Sequence, residues 1–360
     1  MIPVYQPYFN GREKEYVNQC LDSTWISSKG EFIGRFEQGF AEYIGASNAT
    51  AVCNGTVAIH LALEALGIGA GDEVIVPTLT YIASVNTILQ TGAKPVFVDS
   101  LVSTWQIDPQ DVVKKITPKT KAIMVVHLYG LPCDMDALVA ICKAHNLLLI
   151  EDCAEAFGSY YKGQHVGTFG DAATFSFFGN KTITTGEGGM VVAKNASIIA
   201  KARHLKNQGV SLTQEYWHDV LGYNYRMTNI CAAIGLAQLE QVVEILAKKR
   251  QVAQWYQQEL SGLPLVIHQE IAETTHSFWM FSILVSDSQV RQGLREHLKQ
   301  SKIETRPIFH PAHTLPHTKD EGAFPVAISI SGRGINLPSS PGLSHEEVLL
   351  ISQAIRTFFN

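Results

Sequence analysis

The chain has 360 residues, of which 46% are apolar and 17% are charged, and its formal net charge is −5. This length exceeds one typical domain, and the composition supplies a large core and excludes a largely disordered chain. The mildly acidic balance gives no reason to expect nucleic acid as the main partner.

The N-terminal sequence and the cysteines predict a cytoplasmic protein without a membrane partner. The start, MIPVYQPYFNGREKEY, lacks the basic-then-apolar pattern of a signal peptide. No apolar run approaches the roughly 20 residues that span a bilayer. The six cysteines are scattered without a CxxC spacing, which is typical of reduced core thiols.

The first half of the chain alternates helical and strand patterns. A short helix is predicted from about Phe9 to Leu21, and an irregular STWISSKG follows it. The run NGTVAIHLALEALG has helical spacing and begins at an Asn54-Gly55-Thr56 turn, which is typical of a helix start. Short apolar, β-branched runs follow in DEVIVPTLTYIAS, PVFVDS, KAIMVVHLYG and LLLIEDCAEAFG, with the helical CDMDALVAICKAHN between two of them. The alternation predicts an α/β fold with a mostly parallel, buried sheet.

The second half begins with a long helical pattern, ICAAIGLAQLEQVVEILAKKRQVAQWYQQEL, which is rich in helix formers and free of proline. We expect it to bridge two domains. The later pieces HSFWMFSILVSD, VRQGLREHLKQS, IETRPIF and HEEVLLISQAIRTFF predict a smaller α+β domain. The predicted division is a large domain over residues 1–245, with an N-terminal helix, and a smaller domain over 246–360.

Polar residues stand at the ends of several predicted strands. Because ligands bind at the carboxyl ends of strands in open α/β sheets, these residues are candidates for one crevice. They are Tyr81, His127, Asp152, Ser176 and Lys181, the last of which lies in FSFFGNKTITTGEGGMVV. A lysine after a buried strand is costly unless it is paired, reaches water, or is not a free ammonium.

A carboxylate and a lysine on neighbouring strand ends suit pyridoxal phosphate. The lysine forms a Schiff base with the aldehyde, and the carboxylate keeps the pyridine nitrogen protonated. The phosphate then needs a site, and the helix that opens at Gly55 and Thr56 offers backbone amides and the positive end of its dipole. Ser176 is a candidate hydroxyl donor, and Gly186, Gly188 and Gly189 are expected to form a tight turn behind the lysine.

The motifs EDCAEAFG, FSFFGNKTITTGEGGMVV and GYNYRMTNICAAIGLAQLEQ resemble the nucleotide-sugar aminotransferases. The resemblance covers nearly the whole chain and implies a pyridoxal-phosphate enzyme of the aspartate-aminotransferase fold. It implies transfer of an amino group from L-glutamate, through pyridoxamine phosphate, to C4 of a nucleotide-linked 4-keto-6-deoxy sugar. The similarity is strongest to members that use GDP-4-keto-6-deoxymannose in surface polysaccharide (O-antigen) biosynthesis.

The resemblance also assigns site residues. It implies that Lys181 is the Schiff-base lysine and that Asp152 is the partner of the pyridine nitrogen. It places Gly55, Thr56 and Ser176 at the phosphate, Tyr81 on the cofactor ring, and Glu155 where the wider family often has glutamine beside the cofactor. Asn224, in GYNYRM, matches an asparagine that reaches the phosphate from the neighbouring subunit, which implies a homodimer with shared active sites.

The candidate substrate contacts have ordinary structural alternatives. Trp25 and Ser27 are expected to line the nucleotide pocket, although a tryptophan is more often core. His127 is either a hydrogen-bonded core histidine or a substrate contact. Arg306 either pairs with the diphosphate of the substrate or forms a surface ion pair. His310 is expected near the sugar nucleotide.

Two other functions are less compatible with the residues. A branch of the resemblance dehydrates sugars at C3 and has histidine in place of the Schiff-base lysine, so Lys181 favours transamination. The same chemistry on a different nucleotide-linked or free keto sugar stays open. The histidines of HPAHTLPH are interrupted by prolines and lack a carboxylate or cysteine, so no metal site is expected.

Overall fold

The computed structural model describes all 360 residues, and its centre is a seven-stranded sheet. The strands up to residue 193 are β1 (Ala49–Val52), β2 (Glu73–Pro77), β3 (Lys94–Val98), β4 (Thr120–Val126), β5 (Leu148–Asp152), β6 (Tyr160–Tyr161), β7 (Gln164–His165), β8 (Ala172–Ser176) and β9 (Gly189–Ala193). The order in the central sheet is β1-β9-β8-β5-β4-β2-β3. Only β9 runs against its neighbours, so the prediction of a mostly parallel sheet is confirmed.

Helices cover both faces of this sheet and continue to the C-terminus. They are α1 (Glu13–Ser23), α2 (Glu31–Ile44), α3 (Gly55–Leu66), α4 (Ala83–Gln90), α5 (Pro109–Lys115), α6 (Met135–His145), α7 (Ala196–Lys206), α8 (Asn229–Glu240), α9 (Val242–Glu259), α10 (Ser288–Gln300), α11 (Pro325–Arg333) and α12 (His345–Phe359). Because both faces of the sheet are covered, most of its strands are buried along their length, as a parallel sheet requires.

The last hundred residues contain a second sheet. The strands in this part of the chain are β10 (Val266–Ile267), β11 (Thr274–Thr275), β12 (Phe281–Leu284), β13 (Arg306–Pro307) and β14 (Gly334–Leu337). Four of them form an antiparallel sheet in the order β10-β12-β14-β13, while β11 pairs with β6. The α+β character predicted for this part is present. The division at residue 245 falls within α9 and stays a prediction.

The predicted long helix is two helices. α8 and α9 bend by 66° at Gln241, although no proline or glycine stands there. The cause is tertiary packing: α8 lies against α1 and α2, whereas α9 lies against α12. Gln238 and Gln241 both donate side-chain hydrogen bonds to Glu13 Oε1, which holds the bend against α1. No single helix is long and apolar enough to cross a membrane, and this bent pair meets that test only by length and composition.

The first helix begins later than predicted. α1 starts at Glu13 instead of Phe9, and Gly11 packs against the Gln241 side chain so closely that a Cβ there would overlap it. The loop between α1 and α2 contains STWISSKG and is irregular, as predicted.

Candidate active site

Asp152 ends β5 and lies at the carboxyl edge of the parallel strands, where it is 4% exposed. Its Oδ2 accepts a hydrogen bond of 2.7 Å from Ser84 Oγ, and its Oδ1 accepts one of 3.0 Å from the Ala154 amide. The Ser84 hydroxyl lies 3.1 Å from Thr80 Oγ1, so a short chain of hydroxyl groups leads to the carboxylate. These contacts fix the direction in which Asp152 points.

Lys181 lies in the loop that follows β8, and it is partly buried. Its amide donates to Phe178 O at 2.9 Å, and its carbonyl accepts from Tyr5 OH at 2.8 Å. Its Nζ lies 3.8 Å from the centroid of the Trp279 ring. The backbone of the lysine is therefore held from both sides while the amine lies on an aromatic face.

The glycines after Lys181 form the expected turn. Gly186 has φ +81°, in the left-handed region where a side chain is strained. Gly189 opens β9 so close to Asn54 that a Cβ would lie 2.5 Å from the Asn54 carbonyl oxygen. The turn thereby brings the lysine loop back against the start of α3.

The start of α3 forms a cradle for an anion. Asn54 caps the helix by accepting a hydrogen bond of 3.0 Å from the Val57 amide. The amides of Gly55 and Thr56 have no acceptor within the protein. A Cβ at Gly55 would lie 2.6 Å from Ser176 Cβ and 2.8 Å from Ser176 Oγ. The absence of a side chain at Gly55 therefore lets two free amides and one hydroxyl converge at the positive end of the helix dipole.

Two acids act on the amine of Lys181. Burial lowers the pKa of Lys181, while the charges of Glu155 and Asp152 oppose that shift. Burial also raises the pKa of Glu155, and the ammonium of Lys181 opposes it. Glu155 Oε2 accepts a hydrogen bond of 2.7 Å from the Tyr129 amide, so this carboxyl group is held beside the lysine without bonding to it. The site thus contains a lysine whose neutral form is favoured by desolvation.

A series of aromatic contacts connects the surroundings of Lys181 with Tyr81. Trp279 lies parallel to Tyr129 at 5.9 Å, and Tyr129 lies parallel to Phe309 at 5.3 Å. Phe309 contacts Tyr81 at 5.6 Å. Tyr81 itself is 56% exposed, so its ring is available for a planar ligand.

Asn224 is exposed and lies on the segment before α8. Arg226 donates to Asn224 Oδ1 at 3.0 Å and to Asn207 Oδ1 at 3.0 Å, which holds this segment against the end of α7. The Cys53 amide donates to Tyr225 O at 2.9 Å, so the same segment runs beside the end of β1.

Of the candidate substrate contacts, Trp25, Ser27 and His310 have exposed side chains. His310 directly follows Phe309, which contacts Tyr81, so it lies at the rim of the same cleft. Arg306 pairs with Glu304 at 2.9 Å, which is the surface ion pair that the sequence left open.

The expectation of a substrate contact at His127 is wrong, because its side chain has no exposed surface. Its Nε2 lies 3.1 Å from Glu151 Oε2, and its Nδ1 accepts from the Cys133 amide at 3.1 Å. Both nitrogens are therefore used inside the protein. Glu151 also accepts hydrogen bonds from the amides of Gly167, Phe169 and Gly170. The His127–Glu151 pair therefore ties the loop before β8 to β5, and its polar atoms are already occupied by partners within the protein.

The histidines of HPAHTLPH point in different directions. His313 Nδ1 lies 2.6 Å from Thr78 Oγ1, His317 Nε2 lies 2.9 Å from Asn86 Oδ1, and His310 is at the cleft rim. The three histidines therefore have different partners and do not share one binding site.

Two residues of the site were missed by sequence reasoning. Ser84 lies four residues after Thr80 in PTLTYIAS. Its position shortly after a predicted strand could have indicated that it belongs to the site. Trp279 is 99 residues beyond Asn180, whose carbonyl accepts its indole N–H at 2.6 Å, so no local pattern connects it to the lysine.

These residues fit pyridoxal phosphate. The free amides at the start of α3 and the gap that only a glycine leaves at position 55 suit a phosphate. A desolvated lysine, an oriented buried carboxylate and an exposed aromatic ring suit the aldehyde, the pyridine nitrogen and the ring face. The fold and the site define the class of pyridoxal-phosphate-dependent transferases.

Sequence comparison identifies the family. The model of the DegT/DnrJ/EryC1/StrS aminotransferase family matches residues 7–356. The chain therefore belongs to this family, and it is a pyridoxal-phosphate-dependent sugar aminotransferase. The predicted fold class, cofactor and enzyme class are confirmed.

Individual relatives match over their full length. GDP-perosamine synthase of Escherichia coli O157:H7 is 58% identical over 360 residues, covering 100% of this chain and 99% of the relative. GDP-perosamine synthase of Vibrio cholerae is 55% identical over 365 residues, covering 100% of both. Among solved structures, S. venezuelae DesV in complex with a ketimine intermediate is 34% identical with a TM-score of 0.92, covering 97% of this chain and 94% of that one.

Proposed function

We propose that this enzyme transfers the amino group of L-glutamate to C4 of GDP-4-keto-6-deoxymannose and so produces GDP-perosamine for O-antigen biosynthesis. The observation that carries the proposal is the meeting of Lys181, Asp152 and the free amides of Gly55 and Thr56 at one edge of the sheet. The full-length similarity to two relatives named GDP-perosamine synthase supports the choice of sugar.

The cofactor would be held by residues from several strand ends. Lys181 Nζ would attach its aldehyde, Asp152 would face the pyridine nitrogen, and Tyr81 would stack on the ring. The phosphate would be bound by Gly55, Thr56 and Ser176, with Asn224 of the partner subunit. When bound, pyridoxal phosphate supplies an electron sink and a carbonyl group that accepts and returns the amino group.

Lys181 would move the proton in each half of the reaction. As a free amine, Nζ would take the proton from Cα of the donor and would later return one to C4 of the sugar. This task requires a neutral amine near physiological pH, and burial lowers the pKa of Lys181 in that direction. Asp152, oriented by Ser84 and the Ala154 amide, would keep a proton on the pyridine nitrogen.

A homodimer with shared active sites is part of the proposal. The segment before Asn224 exposes large apolar side chains that a second copy of the chain would cover, namely Leu212, Tyr216, Trp217 and Leu221. Four exposed large apolar side chains within ten residues are typical of an interaction site. The fixed position of Asn224 beside Arg226 supports a role across the interface.

The sugar nucleotide is proposed to bind between the α1–α2 loop and the C-terminal part of the chain. Trp25, Ser27 and His310 are the exposed groups that would line its pocket. We also propose that residues 246–360 form the smaller domain. All six cysteines are free thiols, which supports a location in the reducing cytoplasm.

A substrate panel tests this function. Purified enzyme with L-glutamate is offered GDP-4-keto-6-deoxymannose, keto sugars linked to other nucleotides, and a free keto sugar acid. Formation of GDP-perosamine together with 2-oxoglutarate is expected. Turnover of another keto sugar alone would keep the enzyme class and reject the proposed substrate. A sugar product that has lost the oxygen at C3 and has gained no nitrogen would indicate a dehydratase.

A further inference from the structure

The amine of Lys181 has an unusual partner, the face of an indole ring. Nζ lies 3.8 Å from the Trp279 centroid and makes no hydrogen bond or ion pair. Trp279 is 5% exposed, so the contact is shielded from water. The quadrupole of a tryptophan ring attracts an ammonium in this position, and desolvation strengthens that attraction.

Trp279 is itself held firmly. Its indole N–H donates to Asn180 O at 2.6 Å, on the residue next to the lysine. Its carbonyl accepts from Lys249 Nζ at 3.2 Å, and its ring stacks on Tyr129. Lys249 also donates to Ser339 O, so the indole is fixed between the lysine loop and the C-terminal sheet.

An aromatic face suits a lysine that must become a base. A carboxylate at bonding distance would stabilise the ammonium strongly and keep it protonated. An aromatic ring attracts the ammonium more weakly than a carboxylate does. It also tolerates the neutral amine, because the ring carries no negative charge that requires a cation beside it. The nearest acids, Glu155 and Asp152, are instead engaged by the Tyr129 amide and by Ser84.

We propose that Trp279 is a positioning residue, whose indole face receives the Lys181 amine whenever that amine is not engaged with the cofactor and keeps it in the cleft as an available base. The inference rests on the proposed role of Lys181 and adds the residue that controls it. Trp279 acts through Lys181 and takes no part in proton transfer.

The test compares Trp279→Phe, which keeps a ring, with Trp279→Leu and Trp279→Met, which keep apolar volume without one. The full-length enzyme saturated with pyridoxamine phosphate is trace-labelled with acetic anhydride across pH, and Lys181 acetylation is measured by peptide mass spectrometry. Loss of the ring should lower the apparent pKa of Lys181 by about one unit, since the ring favours the ammonium. Glu155, Asp152 and Lys249, the other charged groups around this contact, are unchanged in all variants.

A second readout is exchange of the glutamate Cα proton with D2O. The Leu and Met variants should exchange about tenfold more slowly with the KM for glutamate within about twofold, because the base is misplaced while donor binding is kept. The Phe variant should stay near wild type. Trp255→Leu is the matched control, since Trp255 stacks on His345 in the C-terminal part of the chain.

The outcomes separate the two proposals. If Lys181→Ala still binds the cofactor covalently, the assigned role of Lys181 fails. If Lys181→Ala loses that attachment but both ring-free variants that fold keep the wild-type labelling profile and exchange rate, only the role of Trp279 is overturned. Slow exchange and a lowered Lys181 pKa confined to the ring-free variants would support it.

Discussion

Replacing Gly55 by alanine tests the phosphate cradle directly. The new Cβ would lie 2.6 Å from Ser176 Cβ and 2.8 Å from Ser176 Oγ, so Ser176 or the start of α3 must move. Overpacking of this kind costs about 1–3 kcal/mol, and the higher helix propensity of alanine returns up to about 1 kcal/mol. We therefore expect the cofactor-free protein to lose at most about 3 kcal/mol of folding free energy.

The effect on cofactor binding should be larger. Displacement of the Ser176 hydroxyl removes a hydrogen bond to a charged phosphate, which is worth about 1.5–3 kcal/mol. This corresponds to a roughly 10- to 100-fold increase in Kd for pyridoxal phosphate. The Kd is measured by absorbance titration, and the thermal shift on adding cofactor should shrink in parallel, since ligand stabilisation depends on Kd.

A matched control is available in α2. Gly34 is also within a helix, but a Cβ added there would meet nothing within 4 Å, so Gly34→Ala should raise stability by up to about 1 kcal/mol without changing the Kd. Wild-type cofactor affinity in Gly55→Ala would refute the assignment of the cradle. An equal loss of affinity in both variants would show a general effect of the substitution.

Three further predictions concern the surroundings of the site. Ser84→Ala removes the 2.7 Å hydrogen bond to Asp152, and kcat should fall about tenfold with little change in KM; an unchanged kcat would contradict a positioning role. Glu155→Gln removes a negative charge that raises the pKa of Lys181. The pKa of Lys181 should therefore fall, and the acidic limb of the kcat–pH profile should move to lower pH; a shift to higher pH would contradict this effect of Glu155. Asn224→Ala and Lys181→Ala are mixed at a cofactor concentration too low to activate Asn224→Ala alone. The mixture should regain roughly a quarter of the wild-type activity if subunits share sites in a two-fold dimer, whereas no recovery would argue for independent sites.

The mostly parallel central sheet could be predicted from the sequence. Short apolar runs and helical repeats have different periods. β2 and β5 lie within the predicted runs, and β3 and β4 each begin one residue before theirs. The break at Gln241 was not predictable in this way, because the residues on both sides favour a helix. Two separate cores, one under α8 and the first turn of α9 and one under the rest of α9, override that local preference.

The site was predictable where a side chain follows directly from its strand. Asp152 and Ser176 point to the cleft at the ends of β5 and β8, as expected from parallel strands. His127 also follows a strand, but the chain turns there into a short 3₁₀ helix, and its ring faces Glu151 in the interior. The direction of such a side chain depends on the turn after the strand, which the apolar pattern does not encode.

The central claim is that Lys181 carries the cofactor. Lys249 provides an internal comparison, because it is also buried and burial lowers its pKa to about 7. The purified enzyme with pyridoxal phosphate is reduced with borohydride, digested, and mapped by mass spectrometry. A pyridoxyl group on Lys181 alone is the predicted result. Modification of Lys249 with Lys181 unmodified, or no modified lysine in a protein that retains transaminase activity, would contradict the account.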